Sequence, residues 1–130
     1  MKKHEPAIFI VDDDSSLCRA LARLLRSAGY NDVHKYESAE DFLCSAHVKD
    51  SSLLLLDLQL PGMNGVDLLK HLRRSGRSIP VVLISAHDDE LRRADSMKQE
   101  AVAILHKPFE ETELLSVIHS LTPLVKAGAA

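Results

Sequence analysis

The segment that decides the fold is residues 52–65, which read SLLLLDLQLPGMNG. Its four consecutive leucines, at positions 53–56, predict a strand that is buried on both faces, as the strands of a parallel sheet are. Asp57 follows directly, and Pro61-Gly62 predicts a turn soon afterwards. A carboxylate at the end of a buried strand can serve as a nucleophile, or it can simply begin the turn. Asp57 alone does not decide between these two interpretations.

Outward from this segment, short apolar runs alternate with longer amphipathic stretches. The other apolar runs are AIFIV at 7–11, VHKY at 33–36, PVVLIS at 80–85 and VAIL at 102–105. Apolar residues at helical spacing predict five helices. Four of them cover residues 15–28, 39–46, 89–99 and 112–121, and the third in chain order contains Val66, Leu69 and Leu72 and ends near Gly76. This repeated β-α order predicts a parallel sheet with helices on both faces.

A few residues predict where the first and last helices begin and end. Asp13 or Asp14 is expected to cap the first helix, with Ser15 as a competitor. Gly29 predicts the end of that helix, since glycine readily adopts the left-handed conformation that follows a helix. Pro123 is expected to stop the fifth helix because proline lacks a backbone donor.

Composition limits the class of protein. The chain has 130 residues, of which 45% are hydrophobic, so we expect one domain over residues 1–121 and a tail or the start of a linker at 122–130. A formal net charge of -3 does not favour direct binding to nucleic acid. No apolar run approaches the roughly 18 residues of a membrane span. Cys18 and Cys44 form no disulfide pattern, which favours the cytoplasm.

Polar side chains follow four of the predicted strands. Because the carboxyl ends of parallel strands share one edge of a sheet, where ligands bind, these side chains are expected to collect there. The acidic ones favour a hard divalent cation with oxygen ligands, Mg²⁺ or Mn²⁺, over zinc. A lysine suits a phosphate oxygen, and a serine hydroxyl can donate to one. The residues are Asp12-Asp13-Asp14, Asp57, Ser85 and Lys107.

Together these pieces resemble the receiver domain of two-component response regulators, within the CheY-like superfamily. The resemblance lies in four motifs that occur in the family's order and spacing, and it covers about residues 7–121. The motifs are Ile10-Val11-Asp12-Asp13-Asp14, the segment 56–65 (LDLQLPGMNG), Ile84-Ser85-Ala86 and Lys107-Pro108-Phe109.

The resemblance implies a fold and a function for the site. The fold is a doubly wound sheet of five parallel strands in the order 2-1-3-4-5, with five helices. Asp57 becomes the expected phosphoacceptor, and Ser85 and Lys107 become the switch hydroxyl and the phosphate contact. Asp12, Asp13, Asp57 and the backbone carbonyl of Gln59 become the expected ligands of Mg²⁺ or Mn²⁺. The family's partners are sensor histidine kinases or phosphotransfer proteins, and its members are phosphorylatable switches rather than turnover enzymes.

Two residues, Ile104 and Glu100, depart from the family pattern, and two others occupy positions that vary within the family. Ile104 occupies a position that is usually aromatic, Glu100 occupies one that is frequently glycine, and Gln59 and His87 occupy positions that tune the lifetime of the phosphoryl group. The surface formed by the fourth helix, the fifth strand and the fifth helix is the expected output or homodimer surface, with Leu115 as a candidate contact. An effector domain, such as one that regulates transcription, is expected if the full protein is longer.

Three alternatives remain to be weighed against a phosphorylatable switch. The first is a protein-binding module that is never phosphorylated, which the complete set of site residues disfavours. The second is an aspartyl hydrolase, which requires a second Asp two residues after the nucleophile, where this chain has Gln59. The third is a flavin-binding domain, whose phosphate loop the acidic segment 12–14 would repel.

Overall fold

The computed structural model describes residues 6–45, 48, 52–76, 79–86 and 103–127. These residues form five strands and four helices. The strands are β1 (Ala7–Val11), β2 (Val33–Tyr36), β3 (Ser52–Asp57), β4 (Val81–Ser85) and β5 (Ala103–His106). The helices are α1 (Ser15–Ser27), α2 (Ala39–Ser45), α3 (Gly65–Arg74) and α4 (Glu111–Ala127), the last of which is called the C-terminal helix below.

The sheet is parallel and has the strand order β2-β1-β3-β4-β5. The order implied by the family resemblance is therefore confirmed. β1 and β3 lie side by side, with Val11 opposite Leu56. β4 follows on the other side of β3, with Ile84 opposite Asp57. This register brings the ends of β1, β3 and β4 together at one edge.

Alternating residues of the strands face two separate apolar layers. One layer joins the Phe9, Val11 and Leu56 side of the sheet to α2 and α3. The other joins the Ile8, Ile10 side to α1 and the C-terminal helix. Because successive side chains of a strand point to opposite faces, continuous apolar runs such as residues 53–56 can fill both layers at once.

The ends of α1 agree with the sequence. Asp14 is the N-cap, and its carboxylate accepts a hydrogen bond from the Leu17 N–H at 3.1 Å. Gly29 has φ near 100°, a conformation that side-chain-bearing residues rarely adopt. Of the two expected capping acids, Asp14 performs this role, which leaves Asp13 available to the site.

The C-terminal helix corrects one prediction. It begins at Glu111 and continues to Ala127, so the expected stop at Pro123 is wrong. Proline costs a helix interior about 3 kcal/mol, but its fixed φ is a helical value, so packing of the rest of the helix can offset the cost. Burial of Leu114, Ile118 and Leu121 anchors the preceding turns to the sheet. The helix therefore crosses the expected boundary between residues 121 and 122.

Some sequence-based expectations concern residues that the structure does not describe. The helix at 89–99, His87 and Glu100 lie outside the described residues. Within the described residues, no helix is long and apolar enough to cross a membrane. Cys18 is buried and Cys44 is exposed, and both are free thiols.

Candidate phosphoacceptor and metal site

Two carboxylates are buried at the ends of neighbouring strands. Asp57 is the last residue of β3 and is 4% exposed, and Asp12 follows β1 and is 2% exposed. Since Val11 and Leu56 are register partners, Asp12 and Asp57 lie next to each other across the two strands. The apolar strands place these carboxylates where burial penalises their charge.

Asp13 adds an exposed third carboxylate. One oxygen each of Asp12, Asp13 and Asp57 lies within 4.8 Å of the others. Asp12 is oriented by the backbone, because its Oδ1 accepts a hydrogen bond from the Asp14 N–H at 2.9 Å. Three hard oxygen donors at this spacing fit a Mg²⁺ or Mn²⁺ ion, which prefers carboxylate ligands and retains several waters. The donor set therefore fits the cofactor that the sequence predicts.

Lys107, which directly follows β5, reaches both buried carboxylates. Its Nζ lies 3.4 Å from Asp12 Oδ2 and 3.5 Å from Asp57 Oδ2. The Lys107 N–H donates to the Ser85 carbonyl at 2.9 Å, which ties the position of the lysine to the end of β4. Desolvation lowers the pKa of Lys107, but the charges of Asp57 and Asp12 outweigh it, so the pKa is raised overall. The lysine is therefore charged at neutral pH.

The pKa of Asp57 is raised even though the ammonium of Lys107 lies beside its carboxylate. Burial raises the pKa of Asp57 to about 6, and the Asp12 charge adds to the rise. The hydrogen bond from the Gln59 N–H, at 3.0 Å from Oδ1, and the Lys107 charge oppose it. Three carboxylates against one ammonium leave an excess of negative charge, which a divalent cation would balance.

Ser85 and Gln59 lie beside these charged groups. Ser85 is the last residue of β4 and is fully buried. The carbonyl of its neighbour Ile84 accepts a hydrogen bond from the Leu58 N–H at 2.9 Å, which couples β4 to the residue after Asp57. Gln59 itself is exposed. All six residues predicted for the site thus lie at or just beyond the carboxyl edge of the sheet.

Comparison with known sequences identifies the family. The sequence profile described as "Response regulator receiver domain" matches residues 8–119. This chain belongs to the response regulator receiver domain family. It is accordingly a receiver domain of two-component signalling, and the expected fold is the family's fold.

Individual relatives are similar over nearly the whole receiver domain. "Response regulator protein TodT" of Pseudomonas putida is 36% identical over 95% of this chain and 54% of that protein. "Transcriptional regulatory protein FixJ" of Rhizobium meliloti is 34% identical over 95% of this chain and 60% of that protein. The chain thus spans little more than half the length of these two relatives.

Solved structures agree in fold. The structure of the response regulator StyR has a TM-score of 0.84 at 38% identity, over 95% of this chain and 62% of that one. The structure of FixJ-N has a TM-score of 0.81 at 34% identity, over 93% of this chain and 96% of that one.

The residues expected to take part in coupling to a partner, Ile104 and Leu115, are half-buried. Ile104 is half-buried on β5 and packs on the layer beneath α2 and α3. On the C-terminal helix, Leu115 and Val117 are half-buried against the other layer, whereas Leu114 and Ile118 are fully covered. Leu115 is therefore neither a core residue nor a free surface residue.

Two features near the site were not predicted from the sequence. A cavity of about 360 Å³ opens beside Lys107 and is lined by Leu17, Ala86, Lys107, Pro108 and Phe109. Separately, the Lys107-Pro108 peptide bond that borders the cavity is cis, an isomer for which the sequence makes this X-Pro bond a candidate. The second feature is Glu40 on α2, whose carboxylate accepts a hydrogen bond from the Met63 N–H at 3.0 Å. Neither has a sequence signal, because each depends on how distant segments pack.

Proposed function

We propose that this receiver domain accepts a phosphoryl group on Asp57 in a reaction that requires Mg²⁺ or Mn²⁺. The observation that supports the proposal best is the position of Lys107 Nζ, which lies within 3.5 Å of both Asp12 and Asp57. Asp13 completes a carboxylate cluster of metal-binding size. A nucleophilic carboxylate, a cation-binding set and a fixed ammonium are the groups that phosphoryl transfer to an aspartate requires.

The donor is a phosphohistidine of a sensor histidine kinase or a phosphotransfer protein. An oxygen of the Asp57 carboxylate bonds to phosphorus as the nitrogen–phosphorus bond breaks, and the electron pair of that bond remains on the imidazole nitrogen. Lys107 stabilises negative charge on the phosphoryl oxygens. Asp12, Asp13, Asp57 and the Gln59 carbonyl would hold the divalent cation, which neutralises charge on the transferred group.

Phosphorylation of Asp57 adds negative charge and new hydrogen-bond acceptors to the site. The modified Asp57 carries a dianionic group with new acceptor oxygens, to which the Ser85 hydroxyl can donate. The end of β4 is linked to both neighbours, through the Leu58 N–H to Ile84 and the Lys107 N–H to Ser85. A shift of Ser85 would therefore move the ends of β3 and β5 as well. With Ile104 in place of an aromatic residue, the backbone carries this coupling to the partner surface.

The proposed output of this receiver domain is a change in its contact with an effector domain or a homodimer partner. The chain covers 60% of the length of "Transcriptional regulatory protein FixJ" of Rhizobium meliloti. We propose a phosphorelay switch in the cytoplasm, not a turnover enzyme, that acts on an effector domain or a homodimer partner. The surface that includes β5 and the C-terminal helix, with Leu115, is the candidate contact. The domain itself does not bind nucleic acid, consistent with its net charge of -3.

The test is intact-mass spectrometry after incubation with Mg²⁺ and acetyl phosphate, with Asp57→Asn as the matched variant. We expect the wild type to gain the mass of one phosphoryl group and the variant to gain none. Equal labelling of Asp57→Asn would place the acceptor elsewhere and would contradict the proposal.

Beryllofluoride, a stable mimic of the phosphoryl group, distinguishes rapid hydrolysis from the absence of phosphorylation. If the wild type shows no mass gain but binds beryllofluoride with Mg²⁺, the phosphoryl group is short-lived. If neither ligand binds, the chain is a protein-binding module of the same fold and the proposal fails.

A further inference from the structure

The loop that follows Asp57 determines where Gln59 lies. It leaves β3 at Leu58 and returns to α3 at Gly65, and the Gly65 N–H donates to the Leu58 carbonyl at 3.2 Å. The backbone packs so closely here that a Cβ on Gly65 would lie 2.6 Å from the Asp57 carbonyl oxygen. Near the site, the Gln59 N–H donates to Asp57 Oδ1 at 3.0 Å. The base of the loop is thus closed against the phosphoacceptor.

The outer part of the loop is fastened to a different element. Glu40 lies in the first turn of α2, and its Oε2 accepts a hydrogen bond from the Met63 N–H at 3.0 Å. Glu40 and Met63 are 23 residues apart in the chain, so this contact joins α2 to the loop. The contact therefore holds the loop at Met63.

Gly62 makes room for this contact. Its φ is 72°, which favours glycine, and a Cβ at this position would lie 2.7 Å from Glu40 Oε2. The loop therefore presents a glycine at the point where the Glu40 carboxylate approaches the backbone. The same hydrogen bond from Met63 lowers the pKa of the Glu40 carboxyl, so Glu40 is an ionised acceptor at neutral pH.

We propose that Glu40 is a positioning residue for the phosphorylation site. Its carboxylate fastens the loop that follows Asp57 and thereby fixes Gln59, whose backbone carbonyl is a proposed ligand of the divalent cation. This inference rests on the proposed function. Glu40 touches neither the phosphoryl group nor the cation, and it acts through the Met63 N–H and the backbone between Met63 and Gln59.

A second role of Glu40 has to be separated from this one. An acidic residue in the first turn of a helix stabilises that helix through the helix dipole, whatever else it contacts. Asp41 lies in the same turn of α2 and is also acidic and exposed. Asp41→Ala is therefore the matched control, since it removes a similar charge from the same helix end without removing the acceptor for Met63.

The first experiment measures acetyl phosphate phosphorylation as a function of Mg²⁺ concentration. We expect Glu40→Ala to raise the Mg²⁺ concentration for half-maximal phosphorylation about three- to tenfold, the range for the loss of one hydrogen bond. The rate at saturating Mg²⁺ should stay near that of the wild type. Glu40→Gln should restore the wild-type value, because its amide oxygen can still accept from Met63. An unchanged Mg²⁺ requirement in Glu40→Ala, or an equal rise in Asp41→Ala, would overturn the proposal.

The second experiment does not depend on phosphorylation. We expect amide hydrogen exchange at Met63 to be faster in Glu40→Ala than in the wild type and in Asp41→Ala. Calorimetric titration with Mg²⁺ alone should show a weaker binding constant for Glu40→Ala by the same factor. If the wild type accepts no phosphoryl group, the proposed function fails while these two measurements still decide the role of Glu40. Unchanged exchange at Met63 or unchanged Mg²⁺ affinity would contradict that role.

Discussion

The body and the end of the same strands differ sharply in chemistry although they are equally buried. Val11 and Leu56 are fully covered, and the residues that follow them, Asp12 and Asp57, are 2% and 4% exposed. Burial of the apolar pair contributes about 25 cal/mol per Å² of covered surface. Burial of the carboxylates opposes folding unless cations compensate them. Burial of the apolar residues in the strand bodies therefore offsets the free-energy cost of burying the carboxylates at the strand ends.

The largest expected effect is on the strand body. Leu55 is 1% exposed in the layer beneath α1 and the C-terminal helix. We expect Leu55→Ala to lower the free energy of unfolding by about 2–5 kcal/mol, because it removes buried methyl groups and leaves a cavity. Urea denaturation measures this loss. Leu24→Ala, at a half-buried position, is the control and should cost clearly less, and an equal cost would mean that the layer relaxes around Leu55.

The next effect concerns the strand end and depends on pH. Burial raises the pKa of Asp57 from 3.8 to about 6, so between these pH values the native state holds a proton that the unfolded chain has lost. The stability from this proton is complete below about pH 3.8 and is lost as the pH rises through 6. At roughly 1.4 kcal/mol per pKa unit, the loss is up to about 3 kcal/mol in metal-free buffer.

Urea denaturation of the wild type and Asp57→Asn between pH 4 and 7 in the presence of a chelator measures this dependence. The difference in stability between the two proteins should shift in favour of Asp57→Asn as the pH rises. A difference that is constant over this range would mean that Asp57 titrates normally and that the strand end is not strained by its charge.

A smaller effect is expected at Lys107, the positively charged side chain of the site. Lys107→Ala leaves Asp12 and Asp57 without their ammonium partner and should lower stability by about 1–2 kcal/mol at pH 7, less than for a deeply buried pair because the lysine is partly exposed. It should also prevent phosphorylation. Lys70→Ala, at an exposed position on α3, is the control for removing a positive charge. A wild-type phosphorylation rate in Lys107→Ala would make Lys107 an ordinary surface residue.

The smallest effect on stability is expected at Asp13. It is exposed, so Asp13→Ala should change the free energy of unfolding by less than about 0.5 kcal/mol. Its loss should nevertheless weaken Mg²⁺ binding several-fold, as measured by calorimetric titration. Asp67→Ala removes an exposed carboxylate from α3 and should leave Mg²⁺ affinity unchanged. Equal Mg²⁺ affinity in Asp13→Ala and the wild type would refute the ligand role.

Much of the fold was predictable because its signals are local. Residues 7–11 and 53–56 are continuous apolar runs, and they form β1 and the body of β3. Asp14 and Gly29 mark the two ends of α1 through interactions within a few residues. The strand order was implied by the family resemblance, since the periodicity of a strand does not say which strand lies beside it.

The prediction that the last helix stops at Pro123 was wrong because it used only the local preference of proline. Proline disfavours a helix locally, and the sequence shows that local preference. The actual helix also depends on its packing against the sheet through Leu114, Ile118 and Leu121. Local preference predicted a stop, and the packed helix continues to Ala127.

By itself, the sequence determined the strand bodies and the identity of the groups at their ends, because both follow from the order of residues along the chain. Only the tertiary structure decided the distances between those groups: Lys107 midway between Asp12 and Asp57, and Glu40 against the Met63 backbone. These contacts join residues 23 to 95 positions apart, and packing of the sheet and helices sets such distances, which no local pattern encodes.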